Sequence, residues 1–145
     1  MAVDIGLIES LDIFADLKHA ELEQITSLMR KMKVTEGEVI TRRGDSAHTF
    51  FIILSGDFMV SFDEGRAITL HNKGDIIGCS TVVAPFNYTG TATALTNGEI
   101  LSMPGQDFLS LIQSDPVLSD KIMKKINGII SERSPFLTGG INCTV

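Results

Sequence analysis

The amino-acid sequence predicts a mainly β fold: a small antiparallel roll or barrel with helices at both ends. Three observations lead to this prediction. Up to about Val34, apolar residues recur every three or four positions, as they do on one face of a helix. From there to Met103, short runs rich in Val, Ile, Phe and Thr are broken every few residues by glycine, which is typical of all-β domains. After Pro104 the helical spacing returns.

The N-terminal segment is expected to be helical over residues 7–13 and 19–32. Asp16 has the side chain of an N-cap for the second helix. One apolar stripe runs along that helix, formed by Leu22, Ile25, Leu28, Met29 and Met32. The segment has acids among its apolar residues and no basic region at its start, so we do not expect it to be a signal peptide.

The β region is predicted over residues 34–103. Its breaks each supply a residue that tolerates positive φ, as tight hairpins require. Asn97-Gly98, between TATAL and EILSM, is the strongest hairpin signal. The breaks are Glu36-Gly37, Arg43-Gly44-Asp45, Ser55-Gly56-Asp57, Asp63-Glu64-Gly65, Lys73-Gly74-Asp75 and Asn97-Gly98.

Two helices are predicted over residues 104–133. Pro104 suits the first turn of one helix, and Asp115-Pro116 suits the cap and first turn of the other. Ser134-Pro135 is expected to end the second helix, and residues 134–145 are expected to fray as a tail. A broad apolar stripe marks this helix, formed by Leu118, Ile122, Met123, Ile126, Ile129 and Ile130.

Length and composition limit the classes of function. The 145 residues, 43% of them hydrophobic, suit one compact domain over residues 1–133. No apolar run is long enough to span a bilayer, and the two cysteines suggest no disulfide framework, so a cytoplasmic location is expected. The net charge of −6 disfavours a domain that binds nucleic acid by itself. Basic pairs such as Arg42 with Arg43 are taken as solvated surface.

The ordered series of glycines resembles that of the cyclic nucleotide-binding domain family, over about residues 7 to 132. The resemblance implies an eight-stranded antiparallel β-roll, which is a double-stranded β-helix or jelly roll, with N-terminal helices and two C-terminal helices. It also implies that the last helix is a movable lid or a dimer contact. The residues that carry it are Gly37, Gly44, Asp45, Phe51, Leu54, Gly56, Gly74, Asp75 and Gly78.

In that family the ligand is held by a short cassette that begins with Gly-Glu and ends with Arg, then Thr or Ala, then Ala. The Arg pairs with the phosphate and the Glu holds the ribose hydroxyl. Here Cys79 stands at the Glu position, and alignment on Gly90-Thr91-Ala92 puts Gly90 at the Arg position. A second alignment puts Tyr88 there. The candidate cassette residues are Gly78, Cys79, Ser80, Thr81, Thr89, Gly90, Thr91 and Ala92.

Both charged groups of the cassette are therefore absent. Removing one partner of a buried charge pair costs about 2–5 kcal/mol, so weak or altered binding of cyclic AMP and cyclic GMP is expected. Arg66, His71 and Lys73 are the nearby candidates for a base that takes the place of the missing cassette arginine. The threonines at 89, 91 and 93, with Ser80 and Thr81, suit a hydroxyl-lined pocket; plain strand alternation explains Thr91 and Thr93 equally well.

The sequence is compatible with two functions. The first is a regulatory sensor module for a small effector, without a resident cofactor. The second is a non-binding interaction or dimerisation domain, whose vestigial pocket is filled by a side chain such as Phe86 or Tyr88. An enzyme is not expected, because no nucleophile–base pair, carboxylate dyad or metal spacing is visible. A homodimer is expected through the last helix, at Leu118, Ile122, Ile126 and Ile129, although the same residues could equally be the stripe that caps the roll. The protein partner is unknown.

Cys79 and the three histidines leave further alternatives. A thiol at a helix N-terminus has a lowered pKa, so Cys79 would suit a redox sensor or a haem thiolate; the simpler interpretation is a small apolar residue in the place of the Glu. His19, His48 and His71 lack a local metal spacing, so exposed histidines are favoured over haem ligands.

Overall fold

The computed structural model describes residues 5–62, 65–77, 87–88 and 90–133, with only the backbone of Asp12 and of 129–133. They form two four-stranded antiparallel sheets with helices before and after. No helix within these ranges has the length and hydrophobicity needed to cross a membrane. The strands are β1 (Arg30–Val34), β2 (Val39–Thr41), β3 (Thr49–Ser55), β4 (Phe58–Ser61), β5 (Ala67–Leu70), β6 (Ile76–Ile77), β7 (Thr91–Ala94) and β8 (Gly98–Pro104).

The strand order confirms the predicted eight-stranded roll. One sheet has the order β1-β8-β3-β6 and the other β2-β7-β4-β5. Consecutive strands therefore change sheets at almost every turn, and within the described chain β4 and β5 are the one consecutive pair that share a ladder. Most glycine breaks are thus corners between the sheets and not hairpins.

Asn97-Gly98 is one of these corners, so its prediction as a hairpin is wrong. β7 and β8 lie in different sheets. Positive φ occurs at five of the six predicted breaks, with Gly98 as the exception. Gly98 is needed for space instead, because a Cβ there would overlap the Ser55 carbonyl oxygen of the neighbouring corner.

The N-terminal helices are shorter than predicted. They are α1 (Ile5–Glu9), a 3₁₀ turn (Asp12–Phe14) and α2 (His19–Thr26). The predicted helix over 19–32 is too long, because Arg30–Val34 forms β1 and pairs with β8. β1 is an edge strand exposed from Arg30 to Lys33, so it lacks the apolar alternation that marks a half-buried strand.

The cap of α2 also differs from the prediction. Lys18, not Asp16, is the N-cap residue. Its backbone N–H donates to Oε1 of Glu21 at 2.8 Å, as in a capping box. The same oxygen accepts a hydrogen bond from Nζ of Lys121 at 2.9 Å, so Glu21 also ties α2 to the C-terminal part of the chain.

β3 separates two hydrophobic cores. Phe50 and Ile52 face the helices, and the ring of Phe50 lies 5.0 Å from that of Phe108. Phe51 and Ile53 face the interior of the roll. The roll core consists of Val34, Phe51, Ile53, Phe58, Val60, Phe62, Leu70, Ile77, Ala92, Ala94 and Ile100.

The C-terminal helices are α3 (Gly105–Ser114) and α4 (Pro116–Arg133). Pro104 ends β8 and lies just before α3, one residue outside its predicted place. Asp115 caps α4 as predicted, since its carboxylate accepts bonds from the backbone N–H groups of Val117 and Leu118, each at 3.2 Å. Residues 134–145, the predicted tail, lie outside the described residues.

The apolar stripe of α4 faces the chain's own helical core. Leu118, Ile122 and Ile126 are each 0% exposed within that core. Lys121 adds the ion pair to Glu21, with side chains 23% and 12% exposed respectively. Three of the four residues expected at a dimer contact are thus buried inside one chain, and the side chain of Ile129 is not among those described.

Candidate ligand site

The predicted cassette falls partly within the described chain. Gly78, Cys79, Ser80, Thr81 and Thr89 lie outside the described residues, as does Phe86. Both ends of the segment are described, however. β6 stops at Ile77, which pairs with Phe51 of β3, and the chain is described again at Asn87, which forms a bridge with Ser46. The described residues on either side of positions 78–86 are therefore Ile77, beside β3, and Asn87, beside Ser46.

A cavity of about 510 Å³ lies beside Tyr88, the residue after Asn87. It lies between the edge strand β2 of one sheet and the start of β3 in the other. Its walls are formed by Val39, Ile40, Thr41, Arg42, Asp45, Ser46, His48, Thr49, Phe51 and Tyr88. The volume lies in the range of small-molecule sites, about 300–1,000 Å³.

The turn 42–45 is held in place by main-chain bonds to Tyr88. The backbone N–H of Gly44 donates to the Tyr88 carbonyl at 2.8 Å, and that of Tyr88 donates to the Asp45 carbonyl at 2.9 Å. Gly44 has a φ of 91°, which side chains disfavour. The turn is closed by a bond of 3.1 Å from the N–H of Asp45 to the carbonyl of Arg42.

The Tyr88 hydroxyl is hydrogen-bonded to the backbone at the start of β3. It donates to the Thr49 carbonyl at 2.7 Å and accepts from the Thr49 N–H at 3.1 Å. Burial raises the pKa of Tyr88, and the charge of Asp45 raises it further, while the backbone bonds to Thr49 and His48 act in the opposite direction. Tyr88 is thus a neutral group that joins the cassette end to β3.

Gly90 has no space for a side chain. A Cβ there would lie 2.6 Å from Cγ1 of Val60 and 3.0 Å from Cε1 of Phe62. Thr41 fixes the backbone at this position. Its hydroxyl donates to the Gly90 carbonyl and accepts from the Ala92 N–H, both at 3.1 Å. An arginine at position 90 is therefore excluded by the interior of the roll.

The threonines of β7 follow strand alternation. Ala92 is buried toward the roll core, whereas Thr91 and Thr93 are half-buried and lie on the opposite face. The Thr91 hydroxyl accepts a bond from the N–H of Arg43 at 3.0 Å. Three members of the expected hydroxyl-lined pocket, Ser80, Thr81 and Thr89, lie outside the described residues.

Arg42 is the one arginine or lysine among the described residues of the cavity wall. Its side chain is exposed. Arg66, His71 and Lys73, the bases that the sequence suggested, are not among the described lining residues. His71 and Lys73 lie just before Gly74. The Gly74 N–H donates to the Ile53 carbonyl, and Ile53 lies further along β3 than the cavity.

Sequence reasoning missed the roles of Thr41, Arg42 and Tyr88. Thr41 and Gly90 are 49 positions apart, and Thr49 and Tyr88 are 39 apart, so no local pattern links them. The one available signal is the Arg-Arg-Gly-Asp turn, whose two arginines the sequence pattern predicts to be solvated surface.

Within the described ranges, no group of three or more His, Cys, Asp or Glu residues could hold a metal ion. His19 pairs with Glu23 at 2.8 Å on the surface, and His48 lies in the cavity wall. Cys79, the alternative redox or haem residue, lies outside the described chain.

A family model and several curated proteins match this sequence. The model of the cyclic nucleotide-binding domain family matches residues 31–115. A protein assigned as a potassium channel of Rhodopseudomonas palustris is 27% identical over 135 residues, which are 91% of this chain and 32% of the relative. The chain spans about a third or less of the length of the curated relatives it matches.

Solved structures share the fold. A protein from Geobacter metallireducens, assigned as cyclic nucleotide-binding, superposes with a TM-score of 0.83 at 18% identity, over 90% of this chain and 98% of the other. The sensor domain of the transcriptional regulator DNR from Pseudomonas aeruginosa superposes with a TM-score of 0.73 at 18% identity, over 94% and 99% of the two chains.

Proposed function

The chain belongs to the cyclic nucleotide-binding domain family, and from this premise we propose that it is a regulatory sensor whose effector binds in the cavity between β2, the turn 42–45 and Tyr88. The observation that carries the proposal is the position of this cavity. Tyr88 of its wall lies within the predicted cassette, and Phe51 of its wall pairs with Ile77, the residue just before the cassette. Its size also suits a small-molecule effector.

Cyclic AMP and cyclic GMP are proposed to bind weakly. Cys79 offers no carboxylate to a ribose hydroxyl, and Gly90 offers no cation to a phosphate. Each missing partner costs on the order of 2 kcal/mol or more. At about 1.4 kcal/mol for each factor of ten, affinity falls well below that of a site with both groups.

The proposed mechanism is a shift between two arrangements of α4. Ligand at the cavity contacts Phe51, whose neighbour Phe50 packs on Phe108 of α3. α4 follows α3 directly and is held to α2 by the Lys121–Glu21 pair. A ligand that favours one arrangement of these helices shifts their populations. The output is proposed to reach a partner or a further domain, and no catalysis is proposed for the domain itself.

The test is calorimetric titration with cyclic AMP and cyclic GMP, carried to millimolar ligand, together with hydrogen exchange of α4. Binding and a change in α4 protection are expected. Ser46→Trp, which fills the cavity, should abolish binding, whereas Ser114→Trp, at an exposed position at the end of α3, should leave it unchanged. Binding that survives Ser46→Trp would contradict the proposed location.

A second candidate function is an interaction domain with a vestigial pocket. Val60 and Phe62 lie where a side chain at position 90 would extend, and both belong to the apolar roll core, so the space of the family's Arg is occupied. The discriminating experiment repeats the titration with Phe62→Ala. Nucleotide binding by this variant alone would favour a vestigial pocket, and binding by the wild type would favour the sensor.

A further inference from the structure

We infer that Arg42 supplies the positive charge that holds the effector, and that the effector is therefore a small molecule with a single negative charge. This inference rests on the proposed function, because it concerns the same cavity. It goes further in naming an anchor on the turn 42–45, outside the cassette, and in naming the charge of the ligand.

The position of Arg42 carries the inference. Arg42 lines the cavity and is an exposed residue, so its long side chain is accessible to a ligand that enters from solvent. The described part of the chain contains no ion pair that involves Arg42, although Asp45 lines the same cavity. A guanidinium that no carboxylate occupies can form a two-pronged hydrogen bond with a phosphate or carboxylate.

The backbone beneath Arg42 is already ordered. Its carbonyl accepts the bond that closes the turn, and the turn is bonded twice to Tyr88. The N–H of the next residue, Arg43, is bonded to the Thr91 hydroxyl. A ligand would thus need to order the Arg42 side chain but not the loop that carries it, which lowers the entropic cost of binding.

The surrounding charges define the class of ligand. Asp45 lines the same cavity, and so does His48. A ligand with one negative charge matches Arg42 and tolerates Asp45, whereas a second negative charge is repelled by Asp45. A cyclic phosphodiester carries one charge, and an open nucleoside monophosphate carries nearly two at pH 7. We therefore expect the monoanion to be preferred.

The test uses the whole chain, with cyclic AMP as the monoanionic probe and 5′-AMP as the dianionic probe. Arg42→Gln is expected to weaken cyclic AMP binding at least tenfold. Arg42→Lys, which keeps the charge and loses the fork, should fall between this variant and the wild type. Lys33→Gln on exposed β1 removes the same charge outside the cavity and should change affinity by less than twofold.

Asp45→Asn tests the expected repulsion between Asp45 and a second negative charge on the ligand. It should strengthen binding of 5′-AMP more than that of cyclic AMP, because it removes the repulsion of the second charge. The wild-type affinity should fall as salt is added, and that of Arg42→Gln should fall less. Circular dichroism of each variant verifies that the fold is intact.

The outcomes separate the two proposals. If the wild type and Arg42→Gln bind cyclic AMP equally and Ser46→Trp does not bind, the cavity is the site but Arg42 is not its anchor. That result overturns the inference and leaves the proposed function standing. If the wild type binds neither probe at millimolar concentration, both are overturned. A specific loss in Arg42→Gln, with intermediate binding by Arg42→Lys, supports both.

Discussion

At the scale of the single residue, Tyr88 joins three parts of the molecule. Its main chain holds the turn 42–45, and its hydroxyl holds both backbone groups of Thr49. Tyr88 and Thr49 both line the cavity. A buried hydroxyl with two partners is costly to remove, because both partners then lie unsatisfied.

Tyr88 is the one tyrosine of the chain, so tyrosinate absorbance near 295 nm reports this group alone. We expect its ionisation midpoint to lie above the ordinary value of 10.0, because burial raises the pKa. A pKa that is higher in the folded state stabilises the fold fully below pH 10, and the contribution is lost as pH rises through the raised pKa. A spectrophotometric titration checks this.

Tyr88→Phe is the matched variant for that titration. It should lower the free energy of unfolding by about 1–2 kcal/mol at pH 7, and its stability should decline less at alkaline pH than that of the wild type. An ordinary midpoint in the folded wild type would mean that the hydroxyl reaches solvent.

Gly90→Arg tests whether the family's arginine can simply be restored. We expect this variant to lose roughly 3 kcal/mol of stability or more, because the side chain would overlap Val60 and Phe62 and bury a charge. Chemical denaturation measures the loss, and calorimetry should find no gain in nucleotide affinity. Thr91→Arg, on the outer face of β7, is the control and should be less destabilising. A stable Gly90→Arg variant with tight binding would contradict the described interior.

At the scale of the element, the glycine corners determine how the strands change sheets. Gly98→Ala is expected to destabilise the fold by about 1–3 kcal/mol, because the added Cβ overlaps the Ser55 carbonyl oxygen. Gly128→Ala is the control, since a Cβ there meets nothing within 4 Å and the position is helical. It should stabilise by up to about 1 kcal/mol. Thermal denaturation of both variants tests the contrast, and an equal response would exclude the corner contact.

The link between α2 and α4 gives a prediction on pH. The Lys18 N–H and the Lys121 ammonium hold the pKa of Glu21 below its ordinary value of 4.5. Because the folded-state pKa is the lower one, this stabilisation is present above pH 4.5 and is lost as pH falls through the depressed pKa. Glu21→Gln should therefore cost about 1 kcal/mol at pH 7, and the difference from the wild type should shrink in acid.

Urea denaturation at several pH values measures that difference. Lys31→Gln is the control, because its ion pair with Glu99 spans 3.6 Å between side chains that are 50% and 36% exposed. A pair of this kind contributes little. A cost for Glu21→Gln that does not change with pH would exclude the ion pair as its cause.

Elements with a strong signal in their own local sequence were predicted correctly, and elements that depend on distant contacts were not. Asp115-Pro116 was found because a cap acts within three residues, and Gly37, Gly44, Gly56, Gly65 and Gly74 were found because positive φ is a local property. β1 was missed because an exposed edge strand carries no alternation. Asn97-Gly98 was misassigned because the pairing of β7 and β8 with other strands is set by contacts far away in sequence.

At the scale of the whole molecule, one sheet serves two cores. β3 presents Phe50 and Ile52 to the helices and Phe51 and Ile53 to the roll. The eight-stranded roll was predictable through the resemblance, since spacing alone suggested a roll or barrel. The cavity was not, because its wall combines β2, β3 and Tyr88 through tertiary contacts that leave no periodic mark.

The stripe of α4 provides the test at this scale. Ile122→Asp should unfold the chain, because Ile122 is 0% exposed within the helical core and would bury an unpaired charge. Val117→Asp is the control, since Val117 is 60% exposed and should tolerate the charge. Circular dichroism and size-exclusion chromatography distinguish the outcomes. A folded monomeric Ile122→Asp variant, from a dimeric wild type, would instead show that the stripe is a subunit interface.

The main-chain bonds of the turn 42–45 have a consequence for how this site changes over generations. The turn is fixed by N–H and C=O groups that every residue except proline possesses. Side chains at positions 42, 45, 46 and 48 line the cavity without forming the backbone bonds that hold the turn. Mutation can thus exchange them freely while the scaffold persists. A library randomised at these four positions should remain mostly folded, and selection from it should yield variants that recognise guests of different charge.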